Sequence, residues 1–360
     1  ALGMHQPGRA DDLGSVGTAI GDYDNDGDLD LFVASYGPDV LWQNQGDGTF
    51  VNAAPGTPLA GDHHSVAADW GDIDNDGWLD LYVDTFLSSE AEARDYLFRG
   101  GASGFEEALP PAMLERGASH GVRFADFDLD GDLDVVVTRL NAPPLLLRNS
   151  GTSPRVAVQL SGRAPNTGGV GAVVRLSGDG VPAQSREVTS GGMYLSGSGP
   201  TLTFVAEPGS GHTIEVIWRD GSVTQIDDVR ADRAYEIDQS TATERIVGVG
   251  PPVEEMASGQ HFEDVSNLLA HAHFESEYDD AARQALLPNE MSRLGPGVTW
   301  YDVDGDGAED LLAPAGRGGR MAVFRNVGGA FTPLEGWSIP AAGDQTVALP
   351  VPDERGGSRI

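Results

Sequence analysis

Apolar residues along this chain fall in short, strand-length runs, many of them β-branched, separated by clusters of Gly, Asn and Asp. One arrangement of such runs recurs. A first run carries a small residue (Gly17, Ala67, Gly121 or Gly297) and, three positions on, a large apolar one (Ile20, Trp70, Phe124 or Trp300). An acidic stretch follows, and then a second run: Leu29–Ala34, Leu79–Asp84, Leu133–Thr138 or Glu309–Pro314. A third run comes next, as Val40–Asn44, Tyr96–Gly100, Leu145–Asn149 or Ala322–Asn326. Gly-rich turns then lead to Thr49-Phe50, Gly104-Phe105 or Ala330-Phe331. Four short strands per unit is the build of a β-propeller blade, which predicts an all-β fold.

The acidic stretches share one pattern, D-x-D-x-D-G-x-x-D. They are Asp22-Tyr-Asp-Asn-Asp-Gly-Asp-Leu-Asp30, Asp72-Ile-Asp-Asn-Asp-Gly-Trp-Leu-Asp80, Asp126-Phe-Asp-Leu-Asp-Gly-Asp-Leu-Asp134 and Asp302-Val-Asp-Gly-Asp-Gly-Ala-Glu-Asp310. Carboxylates packed so densely repel one another, and a folded loop that gathers them needs a cation at its centre. Hard oxygen ligands and a glycine at the turn point to Ca²⁺, in up to four sites. An EF-hand would need a bidentate Glu at position twelve, where Val33, Val83, Val137 and Ala313 stand instead. The loops close at their ninth residue and run straight into a strand, so each is a strand-loop-strand site. Asp-Gly pairs also occur in ordinary hairpin turns, but four intact copies of the full pattern argue for metal. The expected side-chain ligands are Asp22, Asp24, Asp26 and Asp30; Asp72, Asp74, Asp76 and Asp80; Asp126, Asp128, Asp130 and Asp134; and Asp302, Asp304, Asp306 and Asp310. The seventh residue, Asp28, Trp78, Asp132 or Ala308, is expected to offer its backbone carbonyl, because its side chain varies.

Successive loops are separated by 50 and 54 residues, and then by 176. The long interval predicts an inserted domain, bounded by the turn-rich Asn149-Ser-Gly-Thr-Ser-Pro154 and Gly248-Val-Gly-Pro-Pro252. Inside it Val156–Leu160, Ala172–Leu176, Thr201–Val205, Thr213–Trp218 and Ala234–Ile237 alternate or run apolar at strand length, the mark of a compact β-domain. Residues 278–287 read as a helical turn or two.

Composition narrows the partners. The 360 residues, 39% of them apolar, suffice for two or three domains with real cores. Fifty-six acidic against 22 basic side chains leave a formal charge of −34, which opposes nucleic acid and anionic lipid as partners. Four Ca²⁺ ions would offset less than a quarter of it, so the acidity belongs to the surface as well as to the sites. Without cysteine there is no disulfide framework and no thiolate chemistry. No apolar run approaches a membrane span, and no signal segment opens the chain. Because Ala1 is no initiator, a trimmed start is expected.

Other chemistry is weakly signalled. His63-His64 and His271-x-His273 have the imidazoles for a transition metal, but no third ligand at recognisable spacing, which favours packing or surface roles. No Gly-x-Ser-x-Gly elbow or Ser/His/Asp order stands out, so no catalytic residue is assigned. Trp42, Trp70, Trp78, Trp218, Trp300 and Trp337 offer sugar-stacking faces, though those in phase with the repeat fit a core better.

The loops resemble the FG-GAP/VCBS repeats of integrin α-subunit propellers and bacterial surface proteins. The insertion resembles the ASPIC/UnbV domain of the cartilage acidic protein family and its bacterial relatives, through Gly168-Gly-Val-Gly-Ala-Val-Val174, Arg186-Glu-Val-Thr-Ser-Gly-Gly-Met-Tyr-Leu-Ser196 and Val216-Ile-Trp-Arg-Asp-Gly221. Arg219 in place of the family's Pro, and Thr203-Phe-Val-Ala-Glu207 in place of Phe-Gly-Leu-Gly, mark a divergent member. The resemblance implies calcium-binding propeller blades at 1–150, a β-sandwich or barrel-like ASPIC/UnbV domain at 151–247, a linker at 248–261 and a further propeller segment at 262–360. It further implies that 1–150 end one propeller and 262–360 begin another, within a fragment of a longer protein. The function it implies is an extracellular, cell-surface or periplasmic adhesion module with a protein or glycan partner. The alternatives are a polysaccharide lyase or hydrolase on a calcium-bearing propeller, and an architectural segment of a surface protein.

Overall fold

The structure, a computed structural model, describes residues 14–61, 63–85, 94–108, 119–128, 130–151, 153–191, 196–197, 201–209, 211–240, 244–248, 262–276, 279, 282, 296–306, 308–343, 345, 348, 351–352 and 358–359. Strands form nearly all of its described elements, beside three short 3₁₀ turns. The helical turns expected over 278–287 lie almost wholly outside the described residues.

The first sheet is a meander of β1 (Ser15–Gly21), β2 (Asp30–Ser35), β3 (Val40–Asn44) and β4 (Phe50–Asn52). The second repeats it with β5 (Ser65–Gly71), β6 (Asp80–Thr85), β7 (Tyr96–Arg99) and β8 (Glu106–Glu107). The third begins with β9 (Ser119–Ala125), β10 (Asp134–Arg139) and β11 (Leu145–Asn149), and then the chain leaves it. In each, the ninth Asp of the loop opens the second strand, opposite the last residue of the first: Gly21↔Asp30, Gly71↔Asp80 and Ala125↔Asp134. The recurring small residue has a separate purpose, since register shifts adjoin Gly17 and Ala67 and bulge the inner strand there.

The inserted domain is a two-sheet sandwich. Its strands are β12 (Arg155–Ser161), β13 (Val173–Gly178), β14 (Gln184–Glu187), β15 (Ser196–Gly197), β16 (Leu202–Val205), β17 (His212–Ile217), β18 (Val223–Val229), β19 (Arg233–Asp238) and β20 (Glu244–Gly248). One sheet has the order β16-β12-β19-β20 with a parallel β12–β19 pair, and the other β14-β13-β17-β18. Between them Val158, Leu176, Phe204, Val216, Trp218 and Ile237 make one apolar core.

After the insertion the chain returns to the sheet it left. The short β21 (Phe262–Asp264) pairs antiparallel with β11, Asn149 facing Phe262, and becomes the outer strand of the third sheet. The fourth sheet, β22 (Val298–Tyr301), β23 (Asp310–Ala313), β24 (Ala322–Val327) and β25 (Ala330–Pro333), packs on the third through Phe127, Val136, Leu146, Trp300 and Phe324. The expected division into two propellers is therefore corrected. Residues 262–264 complete a blade begun before the insertion, and the next blade stacks directly on it. Strand β15 of the insertion also pairs parallel with β22, tying the sandwich to the fourth blade.

The cores lie between blades. Phe32, Leu41, Trp70, Leu81 and Phe98 fill the space between the first and second, and Tyr82, Leu97, Val122, Val135 and Leu147 that between the second and third. This explains the in-phase aromatic: Trp70, Phe124 and Trp300 are buried against a preceding blade, whereas Ile20 of the first sheet is 48% exposed.

Candidate metal centres

Each nine-residue loop joins the first two strands of a blade and folds its carboxylates inward. In three loops the first, third and ninth aspartates bring oxygens within 4.8 Å of one another: Asp22, Asp24 and Asp30; Asp72, Asp74 and Asp80; Asp126, Asp128 and Asp134. In the fourth loop the group is Asp302, Asp304 and Asp306.

Every position has a separate local task. The first Asp accepts the loop-glycine N–H, from Gly27 (3.1 Å), Gly77 (2.9 Å) or Gly131 (2.8 Å). Those glycines have φ of 94°, 92° and 95°, a backbone that only glycine takes without strain. The fifth Asp accepts the N–H of the seventh residue, at 2.9 Å for Asp26, Asp76 and Asp130 and 3.0 Å for Asp306. The ninth Asp accepts two backbone N–H groups. Asp30 takes Tyr23 and Asn44, Asp80 Ile73 and Gly100, Asp134 Phe127 and Asn149, and Asp310 Val303 and Asn326. It thereby pins the loop to the third strand.

These bonds leave oxygens over. Asp22 Oδ1, Asp24 Oδ1, Asp74 Oδ1, Asp126 Oδ1 and Asp130 Oδ2 are buried with no hydrogen-bond partner. Burial, reinforced by neighbouring carboxylates, pushes Asp22 to about 6, Asp72 to about 7 and Asp128 to about 6, and Asp30 to about 7. The same causes raise Asp80, Asp126 and Asp134 well above the carboxylate range. Buried anions with unused lone pairs are what a hard cation relieves, so these donor sets fit Ca²⁺. The fourth loop differs: it is exposed, and Arg325 already pairs with Asp304 (2.6 Å) and Asp306 (3.0 Å).

Several supporting residues escaped the sequence reading. Third-strand side chains hold the third Asp, as Gln43 does for Asp24 (2.5 Å), Arg99 for Asp74 (2.5 Å) and Arg325 for Asp304. The Asn at or next to the end of the third strand reaches the neighbouring blade's loop, Asn149 Nδ2 donating to Ile73 O (2.7 Å) and Asn326 Nδ2 to Phe127 O. Their recurrence at Asn44, Asn149 and Asn326 was the available signal. At position four, Asn25 and Asn75 adopt left-handed backbone, φ 59° and 52°. Asn25 Nδ2 donates to Gly77 O (2.8 Å) and Asn75 Nδ2 to Asp132 Oδ1 (2.8 Å), linking loops one, two and three in a row. Asp132 also pairs with Arg155 of the inserted domain at 2.9 Å, and the same guanidinium donates to Asp130 O.

The histidine pairs belong elsewhere. His63 Nδ1 lies 2.9 Å from Asp39 and its ring 4.2 Å from that of Tyr96, while His271 packs edge-on to Phe324. Among the described residues neither pair joins a group of three metal-ligating side chains. Trp42, Trp70, Trp218 and Trp300 are buried in cores.

Comparison with known proteins agrees with this build. Residues 22–83 match the family model of an FG-GAP-like repeat, and residues 162–244 that of ASPIC and UnbV. No curated protein matches the chain. Among solved structures, an Agrocybe aegerita lectin described as recognising non-reducing terminal N-acetylglucosamine aligns at 16% identity and TM-score 0.28, over 93% of this chain and 82% of that one. A Bacteroides ovatus protein described as a putative cell adhesion protein aligns at 12% identity and TM-score 0.15, over 63% of this chain and 78% of that one. TM-scores this low establish no shared fold. No described helix is long and apolar enough to cross a membrane. The chain carries an FG-GAP-like repeat and, inserted within its third blade, an ASPIC and UnbV domain.

Proposed function

We propose that the chain is a calcium-stabilised extracellular or cell-surface interaction module, presenting an acidic propeller and sandwich surface to a protein or glycan partner. The observation that carries the metal is the set of buried carboxylate oxygens left without a partner in the first three loops. In each loop the first, third, fifth and ninth Asp would surround Ca²⁺, joined by the backbone carbonyl of Asp28, Trp78, Asp132 or Ala308. Such a site stabilises the fold by mass action, about 2.7 kcal/mol per site at a hundredfold excess of calcium over Kd. Exported modules commonly bind calcium at about 10⁻⁴ to 10⁻³ M, a concentration met outside the cell and not in the cytosol.

Calorimetric titration with Ca²⁺ and with Mg²⁺, paired with thermal unfolding in chelator, tests the metal. Strong preference for Ca²⁺ and a rise in Tm are expected; equal response to both ions, or none, refutes it. Retention of the loaded chain on panels of glycans and extracellular proteins, repeated in chelator and assayed for cleaved product, tests the module. Binding without product supports it, and product formation replaces it with the polysaccharide-enzyme reading.

A further inference from the structure

The four loops share a sequence pattern but not a charge balance. In the first three, Asp22 Oδ1, Asp24 Oδ1, Asp74 Oδ1, Asp126 Oδ1 and Asp130 Oδ2 are buried with no hydrogen-bond partner. Among the described residues, no oxygen of Asp302, Asp304, Asp306 or Asp310 is both buried and unpartnered. Three arrangements account for the difference. Asp302 Oδ1 accepts the N–H groups of Gly305 (2.6 Å) and Asp306 (3.2 Å), whereas Asp22 and Asp126 keep that oxygen bare. Asp310 stays outside the carboxylate group of its loop, which its counterparts Asp30, Asp80 and Asp134 join. The guanidinium of Arg325 spans two of the expected ligands, its Nη2 donating to Asp306 Oδ2 at 3.0 Å and its Nε lying 2.6 Å from Asp304 Oδ2, a contact of charge without hydrogen-bond alignment. Loop two has a related ion pair, but there Arg99 pairs with Asp74 and still leaves Asp74 Oδ1 bare.

We propose that the fourth loop carries its own cation in Arg325 and takes Ca²⁺ only in exchange for it, so that this site fills last and is the weakest of the four. The proposal deepens the calcium reading above and rests on it. In loops one to three an incoming ion meets buried carboxylate oxygens that nothing else satisfies, and binding relieves their desolvation. In loop four the ion has first to displace a planar guanidinium that already serves two ligands, and then to gather Asp310. The exchange is feasible because Asp304 and Asp306 are exposed, and an ion pair at the surface is weak. Three ions thus hold the blades, and the fourth answers a higher calcium level. Its arrival frees Arg325 as a cation on an otherwise acidic surface.

The test titrates the full chain with Ca²⁺ by calorimetry while the Arg325 Nε–H is followed by NMR. Three ions should bind before a fourth at least about tenfold weaker, and the Arg325 resonance should move only in that last step. Asp304→Asn should abolish the fourth step and keep the other three. Arg325→Met should tighten the fourth step by about tenfold or more with the first three unchanged. Arg325→Lys, which keeps the charge without the planar fork, should fall between. A fourth step seen in Arg325→Met but too weak to reach in the wild-type chain supports the exchange equally. Four equal steps in the wild-type chain, a fourth step indifferent to Arg325→Met, or three steps in both proteins overturns the proposal and leaves the calcium reading intact. A chain that binds no calcium in any loop removes both.

Discussion

Replacing Asp72 by Asn should stabilise the chain in chelator and forfeit that gain in calcium. Asp72 is 2% exposed, and desolvation, opposed by Arg186 and reinforced by Asp76 and Asp74, lifts its carboxyl from 3.8 to about 7. A rise of about 3 units corresponds to about 4 kcal/mol of destabilisation when the group is ionised in the metal-free fold. Because the folded pKa is raised, the stability linked to its protonation is complete below about 3.8 and is lost as pH climbs through about 7. Metal-free wild type should therefore gain stability on acidification from about pH 8 to about pH 5. Asparagine removes that charge, but its amide must face either the Asp76 N–H (3.0 Å) or the Gly77 N–H (2.9 Å), a loss of about 1–3 kcal/mol. In chelator near neutral-to-alkaline pH the variant should come out about 1–3 kcal/mol more stable, with a flatter pH profile. In calcium at a hundredfold excess over Kd it forfeits a ligand, and about 2.7 kcal/mol with it. Thermal and urea unfolding of both proteins, in calcium and in chelator, reads the difference. A loss of equal size in both conditions would show Asp72 to be a plain structural acceptor and refute the metal argument.

Three further outcomes follow from the same geometry. Arg155→Met leaves Asp132 buried without its cation and should destabilise the chain by about 3–5 kcal/mol, with faster proteolysis at the 149–155 junction as the specific readout. Asn75→Ala combines a left-handed backbone without glycine or asparagine, about 1–2 kcal/mol, with a lost hydrogen bond to a charged acceptor. Asn75→Gly should recover the backbone part alone; equal losses in the two variants would contradict the backbone strain, and full recovery in Asn75→Gly would contradict the loop-to-loop link. Phe262→Ala, at a residue 1% exposed, should cost about 3–5 kcal/mol and expose the third blade's outer edge, seen as raised hydrogen exchange in Leu145–Asn149. Unchanged exchange there would mean that the return strand adds nothing to that blade.

Legibility followed repetition. The nine-residue loops could be read because each position answers a separate geometric demand, and four copies expose all of them at once. The strand runs were readable for the same reason, each burying its apolar residues between blades. The return of the chain to the third sheet was not. Strand β21 is three residues long, Phe262-Glu-Asp264, too short for any period, and its membership is fixed by pairing with a strand more than a hundred residues earlier. Asn25 and Asn75 stood inside the motif as unassigned letters, because sequence cannot show that a left-handed residue points its amide at the next blade. Arg155 and Arg186 look like surface residues of alternating strands; only docking of the sandwich on the loops gives them carboxylates to face.

That docking makes the metal loops part of an interdomain contact. Gly77 in the second loop is so close to the sandwich that a Cβ there would lie 2.5 Å from Pro182 Cγ. Arg155 grips the third loop, and Arg186 faces the first residues of loops one and two. Three neighbouring loops, already linked by Asn25 and Asn75, thus share one partner surface. On the calcium reading, an ion that organised any one of them would be felt by the sandwich as well as by its own blade. Among the described residues two cations of the sandwich, Arg155 and Arg186, meet this wall of carboxylates, too few to neutralise the fourteen aspartates of the three loops around them. On the calcium reading the balancing charge comes from outside the chain, and the depth of the unpartnered oxygens favours a cation held inside the loops over a diffuse counterion cloud.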